Sequence, residues 1–370
     1  MSISEKLGFK AGINACGTVT RLGGTRLSDE VLQAMTDAAK SFLPMHEFHK
    51  KAGEYVAGLL DVEACCITCG AAAGLAISSA ACMTSGETEK VLQLPDTTGM
   101  SDEILMLKSH RIRYDQALLL SGAKIKEVGT ADTATVSQLK EMISEKTAVF
   151  VYVAENEHVK GSVPLPEIIP ILKQHELPTI VDAAAELPPV ENTKNYLDMG
   201  ADLVLFSGGK EIRGPQASGI IIGKKELIDA CNANCCPNYS IGRSMKISKE
   251  IIAGLVAAVE LFVKKDYKLQ MSIWEDMSRN ICAALEKRKD VKLRTGYPTA
   301  PGIQPAIILR AYIKPMKITA TALQEILRNT VPVPVYTDIN SDEIVINPQC
   351  IEPEELEPLI EALHRTLDNV

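Results

Sequence analysis

The sequence lacks several features that would place it in a broad class. It has no dense run of Lys or Arg, no secretory signal at its start, and no apolar stretch as long as the roughly 18 to 20 residues that span a bilayer. Its formal net charge is -8, whereas a general nucleic-acid binder needs clustered positive charge. We therefore expect a soluble cytoplasmic protein with no membrane or nucleic-acid partner.

Metal-binding patterns are also scarce. A zinc site needs two Cys pairs or a Cys/His set at ligand spacing, and ten cysteines are present. The candidates are one C-x-x-C, one further cysteine cluster and one His pair: Cys66 and Cys69; Cys231, Cys235 and Cys236; His46 and His49. Reduced cysteines pack as small apolar side chains. We favour buried or incidental thiols over a zinc or redox site, and we expect no metal.

The middle of the chain alternates short apolar runs with helix-length segments. This rhythm is typical of a mostly parallel sheet that is covered by helices on both faces, and it predicts an α/β fold. The predicted strands are residues 64–68, 90–94, 104–107, 124–128, 148–153, 179–182, 203–206 and 219–222. Helices are predicted at 71–83, 138–145 and 167–174.

The flanks of this region have different patterns. Ser28 is a suitable N-cap for a helix that runs to about residue 39, and residues 248–264 form an amphipathic pattern. Two β-rich stretches follow at 306–313 and 333–347, and a last helix begins near Pro353. We predict an N-terminal arm and helix at 1–40, a large α/β domain at 41–247, and a linker helix with a small α+β domain at 248–370.

A Ser-Gly-Gly-Lys turn follows the predicted strand at 203–206. Ser207 lies three residues before Lys210, with Gly208 and Gly209 between them. The glycines permit a sharp turn and a close backbone approach. Such a turn suits pyridoxal phosphate (PLP), because the hydroxyl could bind the phosphate while the lysine amine reaches the aldehyde.

Two more segments suit the same cofactor. Asp182 ends a predicted strand, and a carboxylate against the pyridine nitrogen keeps that nitrogen protonated, so that the ring withdraws electrons from the substrate. Gly70, Ala71 and Ala72 precede a small-residue helix, whose first N–H groups favour a phosphate. Alone, a lysine after glycines is usually a solvated loop residue and a strand-end Asp is often a helix cap. The order of the three segments on one parallel sheet is much more specific, since such sheets bind ligands at their carboxyl edge.

In this order the segments resemble fold-type I PLP enzymes. The resemblance is strongest to the selenocysteine synthase superfamily, and within it to the D-glucosaminate-6-phosphate ammonia-lyase branch. The resembling stretches are INACGTVT at 13–20 with LGG at 22–24, TCGAAA at 68–73, VDAAAE at 181–186, SGGK at 207–210 with GPQ at 214–216, and IGRSMK at 241–246. They spread over about the first 260 residues, and the remainder follows more loosely.

The resemblance implies a fold and a set of cofactor ligands. It implies a fold-type I transferase fold with a mostly parallel, seven-stranded type of sheet and a smaller C-terminal α+β domain. Lys210 would form the Schiff base with PLP, and Asp182 would face the pyridine nitrogen. The implied phosphate ligands are the Ser207 hydroxyl and the amides of Gly70, Ala71 and Ala72.

Three further residues are candidates with open alternatives. His110 occupies roughly the place where this fold often stacks a ring on PLP, although a surface histidine is an equal interpretation. Arg243 and Lys246 are candidate anion ligands for the substrate or for a neighbouring subunit's cofactor, and the alternative for both is a solvated basic loop. We expect a homodimer or higher homo-oligomer with active sites at the subunit boundary.

The sequence also departs from the family pattern. Residues 346–350 lack the arginine that many fold-type I enzymes use for the substrate carboxylate, so its ligand stays open, with Arg26 and Arg310 as weak candidates. The resembling motif that starts at Asn14 leaves no room before it for the tRNA-binding domain of a true selenocysteine synthase. We therefore expect no such domain.

Three functions are compatible with these residues. The first is an ammonia-lyase on a phosphorylated 2-amino sugar acid of the D-glucosaminate-6-phosphate type, in which Lys210 removes the α-proton and 2-keto-3-deoxygluconate-6-phosphate is formed. The second is another PLP reaction, such as selenium transfer on seryl-tRNA, racemisation or aldol cleavage. The third is a non-enzymatic PLP-binding protein. We favour the first, because the acidic charge disfavours tRNA and a scaffold has no need of Lys210, Asp182 and Ser207 together.

Overall fold

The computed structural model describes residues 3–299 and 303–370. They form two compact units, a larger one of Leu27–Lys265 and a smaller one that joins Met1–Arg26 to Asp266–Val370. None of the helices in these ranges is long and apolar enough to cross a membrane.

The strands and helices are numbered in chain order. The strands are β1 Ile13–Asn14, β2 Ala64–Thr68, β3 Glu103–Leu107, β4 Lys124–Val128, β5 Thr147–Val153, β6 Thr179–Asp182, β7 Leu203–Ser207, β8 Gly219–Gly223, β9 Val291–Gly296, β10 Arg310–Pro315, β11 Val335–Tyr336, β12 Asp338–Asn340 and β13 Glu343–Ile346. The helices are α1 Ile3–Lys6, α2 Asp29–Ala39, α3 Met45–Leu60, α4 Ala71–Thr84, α5 Thr88–Gln93, α6 Gln116–Leu119, α7 Val136–Met142, α8 Leu165–Gln174, α9 Asn192–Met199, α10 Lys225–Asn234, α11 Lys249–Lys264, α12 Tyr267–Leu285, α13 Ala320–Arg328 and α14 Leu356–Asp368.

A seven-stranded sheet forms the centre of the larger unit. Its strand order is β2-β8-β7-β6-β5-β3-β4, and only β8 is antiparallel to its neighbours. Every residue of β5 and β8 is buried, as expected for strands covered on both faces. The predicted α/β fold with a mostly parallel sheet is therefore confirmed.

One predicted strand is wrong. Residues 90–94 belong to α5 and the residue that ends it, not to the sheet. Of α5, only Val91 is buried, whereas a strand inside a covered sheet would bury most of its residues. The composition of α5, with Glu, Lys, Leu and Gln, also favours a helix. The run at 90–94 is too short for its apolar residues to distinguish a strand from a helix.

Close packing of small residues positions α3 and α4 on the sheet. A Cβ at Gly53 of α3 would lie 2.3 Å from the Cys65 carbonyl oxygen of β2, and a Cβ at Gly74 of α4 would lie 2.7 Å from a Leu205 methyl of β7. His49 is buried and its Nε2 hydrogen bonds to the Ile67 carbonyl at 2.6 Å. These contacts hold α3 against β2 and α4 against β7.

The boundaries between the two units differ from the predicted domain boundaries, which lie at residues 40 and 247. Helix α11 packs on α2 and α3 and belongs to the larger unit. The segment before Leu27 belongs to the smaller unit, where Ile13 of β1 pairs with Val335 of β11. The smaller unit also contains the antiparallel sheet β12-β13-β10-β9 with α12, α13 and α14, so it is α+β. The predicted division into domains at 1–40, 41–247 and 248–370 stays a prediction.

Candidate active site

The carboxyl ends of β2, β5, β6 and β7 meet at one edge of the larger unit's sheet, since all four strands run in the same direction. Asp182, at the end of β6, pairs with Val153 of β5 on one side and Leu205 of β7 on the other. Lys210 follows the end of β7 by three residues. Asp182 and Lys210 both lie at this edge, which is where open parallel sheets bind ligands.

The turn that carries Lys210 depends on both of its glycines. Gly208 donates its N–H to the Ser218 carbonyl at 2.9 Å and accepts from the Gly214 N–H at 2.8 Å. A Cβ at position 208 would lie 2.2 Å from the Ser218 hydroxyl, and one at 209 would lie 2.5 Å from the Gln216 Cα. The segment from 214 to 218 therefore packs directly against the turn, and this packing fixes the backbone of Lys210.

We expect Gly209→Ala to destabilise the fold, because the new methyl group meets backbone atoms that cannot move away. Overpacking of this kind costs about 1–3 kcal/mol of unfolding free energy. Gly58→Ala is the matched control: position 58 is exposed in α3, with nothing within 4 Å of a Cβ. The control should gain up to about 1 kcal/mol, as alanine does in a helix. Thermal unfolding of both variants measures the difference, and equal effects would contradict the role of close packing at 209.

Three carboxyl groups influence the Lys210 amine. Burial lowers the pKa of Lys210, while the charges of Asp182, Glu155 and Glu186 raise it to a smaller extent. Burial also raises the pKa of Asp182, although the Ala184 N–H donates to its Oδ1 at 3.1 Å and Lys210 opposes the shift. Burial thus favours the neutral form of the Lys210 amine. The nearby carboxyl groups are only partly compensated by positive charge.

Gly219 brings Ser207 close to the first turn of α4. It pairs with Ser207 of β7 on one side and with Thr68 of β2 on the other. A Cβ at 219 would lie 2.8 Å from the Gly70 carbonyl carbon and 2.9 Å from the Ala71 nitrogen. Only glycine permits this approach, and it places the half-buried Ser207 beside the helix start.

The first turn of α4 is open to an anion. Gly70 is the N-cap, and as a glycine it has no side chain that could cap the helix. Ala71 is half-buried and Ala72 is exposed, and each has only a methyl group as its side chain. A helix start with unpaired N–H groups and the positive end of the helix dipole favours a phosphate. The structure therefore brings Gly70, Ala71, Ala72 and Ser207 together.

His110 is packed inside the protein. It has no exposed surface, its Nδ1 accepts from the Val153 N–H at 3.1 Å, and its Nε2 lies 2.8 Å from the Ser162 hydroxyl. The Tyr152 ring contacts it edge-on at 4.5 Å between centroids, and burial lowers its pKa to about 4. These contacts support a structural role. Stacking of His110 on the cofactor stays a prediction that this geometry does not support.

The predicted substrate ligands are spread over both units. Arg243 is half-buried with its Nη1 3.9 Å from the Cys236 sulfur, and Lys246 is exposed. Their loop is tied to the end of α10, where Gly242 donates to the Asn234 carbonyl at 3.1 Å. Arg26 lies in the smaller unit and forms an ion pair with Glu355.

Arg310, the other arginine considered for the substrate carboxylate, also lies in the smaller unit. It is buried, and its Nε has no hydrogen-bond partner among the described residues. Its Nη2 donates to the Gln304 and Pro305 carbonyls, both at 3.5 Å. A role of Arg26 or Arg310 as the ligand of the substrate carboxylate stays a prediction.

Two carboxyls at the site were not among the sequence candidates. Glu155 lies two residues after β5, and Glu186 lies four residues after Asp182. Burial raises the pKa of both, in the case of Glu186 to about 7. The sequence contained one indication of these two residues, which is their position just after strands of a predicted parallel sheet. Glu186 is also the last residue of the VDAAAE stretch.

The cysteines provide no comparable site. Cys66 and Cys235 are buried with their sulfurs 3.5 Å apart, and all ten cysteines are free thiols. Within residues 3–299 and 303–370, no group of three or more His, Cys, Asp or Glu side chains could hold a metal ion.

The chemistry of the site fits PLP. Asp182 is 8% exposed, and a buried carboxylate needs a cation or strong donors to compensate its charge. A protonated pyridine nitrogen could supply that compensation, the Lys210 amine could bind the aldehyde, and the open start of α4 could bind the phosphate.

Comparisons with known proteins agree with this chemistry. A family model described as L-seryl-tRNA selenium transferase (SelA) matches residues 12–295. A D-glucosaminate-6-phosphate ammonia lyase from Salmonella typhimurium is 40% identical over 264 residues, which is 70% of this chain and 69% of the relative. A 5'-C-glycyluridine monooxygenase-decarboxylase from Streptomyces is 31% identical over 98% of this chain and 91% of its own.

Solved structures support the same assignment. The structure of a D-glucosaminate-6-phosphate ammonia-lyase has a TM-score of 0.85 and 30% identity, and the match covers 100% of this chain and 99% of that one. Structures with 12–16% identity and TM-scores of 0.59–0.60 share the fold alone. The chain belongs to the SelA family of fold-type I, PLP-dependent enzymes.

Proposed function

We propose that the protein is an ammonia-lyase that removes water and then ammonia from a phosphorylated 2-amino sugar acid of the D-glucosaminate-6-phosphate type. The product would be 2-keto-3-deoxygluconate-6-phosphate. The observation that carries this proposal is the partly buried Lys210 amine among Asp182, Glu155 and Glu186. The Salmonella relative, which covers most of this chain at 40% identity, supports the same reaction.

The proposed cofactor ligands follow from the geometry of the sheet edge. Lys210 would hold the aldehyde of PLP, Asp182 the pyridine nitrogen, and Ser207 with the first amides of α4 the phosphate. Bound PLP supplies the electron sink that makes the substrate α-proton acidic. The protein's own contribution is to place an amine, a carboxylate and an anion site in fixed positions around it.

Lys210 is the proposed general base. Burial lowers the pKa of its amine, so the neutral form that accepts a proton is available closer to neutral pH. When it is not bonded to PLP, the Lys210 Nζ would take the proton from the substrate α-carbon. Loss of the hydroxyl at the next carbon then gives an enamine, whose hydrolysis releases ammonia and the 2-keto acid.

Arg243 and Lys246 are the proposed ligands of the substrate phosphate or of a neighbouring subunit's cofactor. A charge-assisted hydrogen bond contributes about 1.5–3 kcal/mol. Their loop leaves α10 and precedes α11, so it can reach away from its own sheet edge. We propose at least a homodimer with shared active sites. A cytoplasmic location stays a prediction from the sequence.

A substrate screen tests the proposed function. Purified protein with PLP is incubated with phosphorylated and unphosphorylated 2-amino sugar acids, and ammonia and 2-keto acid release are measured together. Equal amounts of both products from the phosphorylated acid support the proposal. Binding of seryl-tRNA in a gel shift, without ammonia release from any acid, would replace it with the transferase that gives the family model its description.

The reaction is not settled by family membership. The Streptomyces relative, which matches nearly the whole chain, carries the name of a monooxygenase-decarboxylase. The net charge of -8 disfavours a tRNA substrate. The screen should therefore include assays for carbon dioxide release alongside those for ammonia.

Hybrid dimers test the shared site. Lys210→Ala and Arg243→Ala proteins, each impaired alone, are mixed under conditions that allow subunit exchange. If Arg243 acts in the neighbour's site, each hybrid dimer has one intact site, and random mixing restores about a quarter of wild-type activity. A mixture of Lys210→Ala with Asp182→Asn is the control, because both residues belong to one sheet edge and no intact site can form. Hybrids that form but stay inactive would contradict the cross-subunit role.

A further inference from the structure

Glu186 is an acidic residue at the proposed active site, and the proposed function assigns no role to it. It lies four residues beyond Asp182, and its N–H donates to the Ala183 carbonyl at 3.0 Å. The Asn192 side chain donates to its backbone carbonyl at 2.7 Å. The backbone of Glu186 is thus held in a fixed turn at the carboxyl edge of the sheet.

The side chain of Glu186 is held differently from its backbone. Its Oε1 is buried and has no hydrogen-bond partner among the described residues. An oxygen in this state is costly when the carboxylate is charged and far less so when the group is protonated. Glu155, the other acidic residue of the site that was not among the sequence candidates, has no buried oxygen without a partner among the described residues.

The neighbouring acidic groups raise the pKa of Glu186, as burial does. The charged and titratable groups that face Glu186 come from β6 and its loop, the segment after β5, helix α9 and the lysine turn: Asp182, Glu155, Glu157, Tyr196 and Lys210. Only Lys210 favours the charged carboxylate. Burial and the neighbouring acids outweigh it and raise the pKa of Glu186 to about 7. The carboxyl therefore holds a proton close to neutral pH.

The proposed reaction needs such a proton. Hydroxide is a poor leaving group, and its departure requires a donor within reach of the oxygen. We propose that the Glu186 carboxyl donates the proton that turns the departing hydroxyl of the substrate into water. This inference rests on the proposed function, because only a substrate with a hydroxyl beside the amino-bearing carbon needs that proton.

The step balances without any further reactant. The α-carbon loses its proton to the Lys210 Nζ, and the electrons of that bond form the new double bond to the neighbouring carbon. The carbon–oxygen bond breaks with both electrons moving to oxygen, which takes the proton from Glu186 and leaves as water. Glu186 becomes a carboxylate and regains a proton from solvent before the next turnover.

The test compares two substrates that differ only in the leaving group. The PLP-loaded wild type, Glu186→Gln and Glu191→Gln are supplied with the hydroxy acid and with its 3-chloro analogue, since chloride leaves without a proton. Glu191 is exposed and five residues away, so it is the matched control. The readouts are ammonia release and exchange of the α-hydrogen with deuterium from the solvent.

Glu186→Gln should slow ammonia release from the hydroxy acid by about 10²–10⁴-fold, the range for a lost proton donor. Its α-hydrogen exchange and its reaction with the chloro acid should stay close to wild type, and Glu191→Gln should resemble wild type throughout. A structural role predicts instead that both substrates lose the same factor, and that result would overturn the assignment. If Glu186→Gln does not fold, Glu186→Asp keeps the carboxyl but shortens its reach, and the same comparison of substrates decides.

Two outcomes separate this inference from the proposed function. If the wild type releases no ammonia from the hydroxy acid, both the proposed function and the role of Glu186 are wrong. If the Glu186→Gln variant loses the same factor on both substrates, only the role of Glu186 is wrong. An infrared titration of the cofactor-free protein adds a readout that is independent of turnover. A protonated carboxyl band that titrates near pH 7 in wild type and is missing in Glu186→Gln supports the assignment, and an unchanged band would overturn it.

Discussion

Lys210→Ala should yield a colourless protein whose turnover falls by about 10⁴-fold, the upper end of the range for loss of a general acid–base group. The large effect is expected because one amine carries two roles, as the covalent anchor of PLP and as the base at the substrate α-carbon. The fold itself should persist, since burial of the charged form of this amine is already unfavourable.

The measurement for this variant is direct. Wild-type protein is reduced with borohydride, digested and mapped, and the pyridoxyl group should be found on the peptide that contains Lys210. Lys225→Ala is the matched control, since Lys225 is an exposed lysine that forms a surface ion pair with Asp229. It should remain yellow and active. A pyridoxyl group on any other lysine would remove Lys210 from the proposed role.

The carboxyl edge of the sheet, and the position of Lys210 at this edge, could be predicted from the sequence because local residues determine them. Apolar runs marked the strands, so the residues that follow them, such as Asp182 and Lys210, could be placed at the carboxyl edge. Gly208 and Gly209 were informative because a close backbone approach excludes other residues. In each case the physical reason lies within a few residues of the site.

Other features depend on contacts between distant segments and could not be predicted. The packed state of His110 depends on Tyr152 and Ser162, which lie more than forty residues away. The sequence also gives no sign of the buried Glu186 oxygen, which has no hydrogen-bond partner among residues 3–299 and 303–370, because glutamate is normally a surface residue. The helix at 88–93 resembled a strand because its few apolar residues do not define a period.

The site illustrates how one fold can make acids and a base from ordinary residues. Burial shifts the pKa of Lys210 downward and those of Asp182, Glu155 and Glu186 upward. Shifts in these opposite directions bring an amine and carboxyls toward neutral pH, where proton transfer is most efficient. In each of the four residues, burial at the sheet edge is the largest cause of the pKa shift.

Asp182→Asn should reduce turnover by about 10²–10³-fold, the range for removal of one preorganised electrostatic partner, while PLP is retained. The amide keeps the shape of the side chain but cannot hold a proton on the pyridine nitrogen, so the ring withdraws electrons less strongly. Retention is expected because Ser207 and the start of α4 are unchanged. Turnover and the cofactor content of the purified variant are measured side by side.

Asp202→Asn is the matched control for this prediction. Asp202 is also 8% exposed, but it precedes β7 at the opposite edge of the sheet, where it accepts from the Thr179 N–H at 2.8 Å and pairs with Lys224. Its loss should lower stability and leave turnover per folded molecule unchanged. If Asp182→Asn behaved in the same way, Asp182 would be a structural residue at the end of its strand.

A pH series of the cofactor-free protein gives a second measure of the Asp182 environment. Burial raises the pKa of this carboxyl in the folded state, so the folded state retains a proton that the unfolded chain releases at lower pH. By linkage, the contribution of Asp182 to stability is lost as pH rises from the unfolded pKa through the folded one. Asp182→Asn cannot release this proton, and its unfolding free energy should therefore decline less than that of wild type over the same interval. Parallel pH profiles for the two proteins would show that the carboxyl is not buried as described, and the need for a cationic partner at this position would no longer follow.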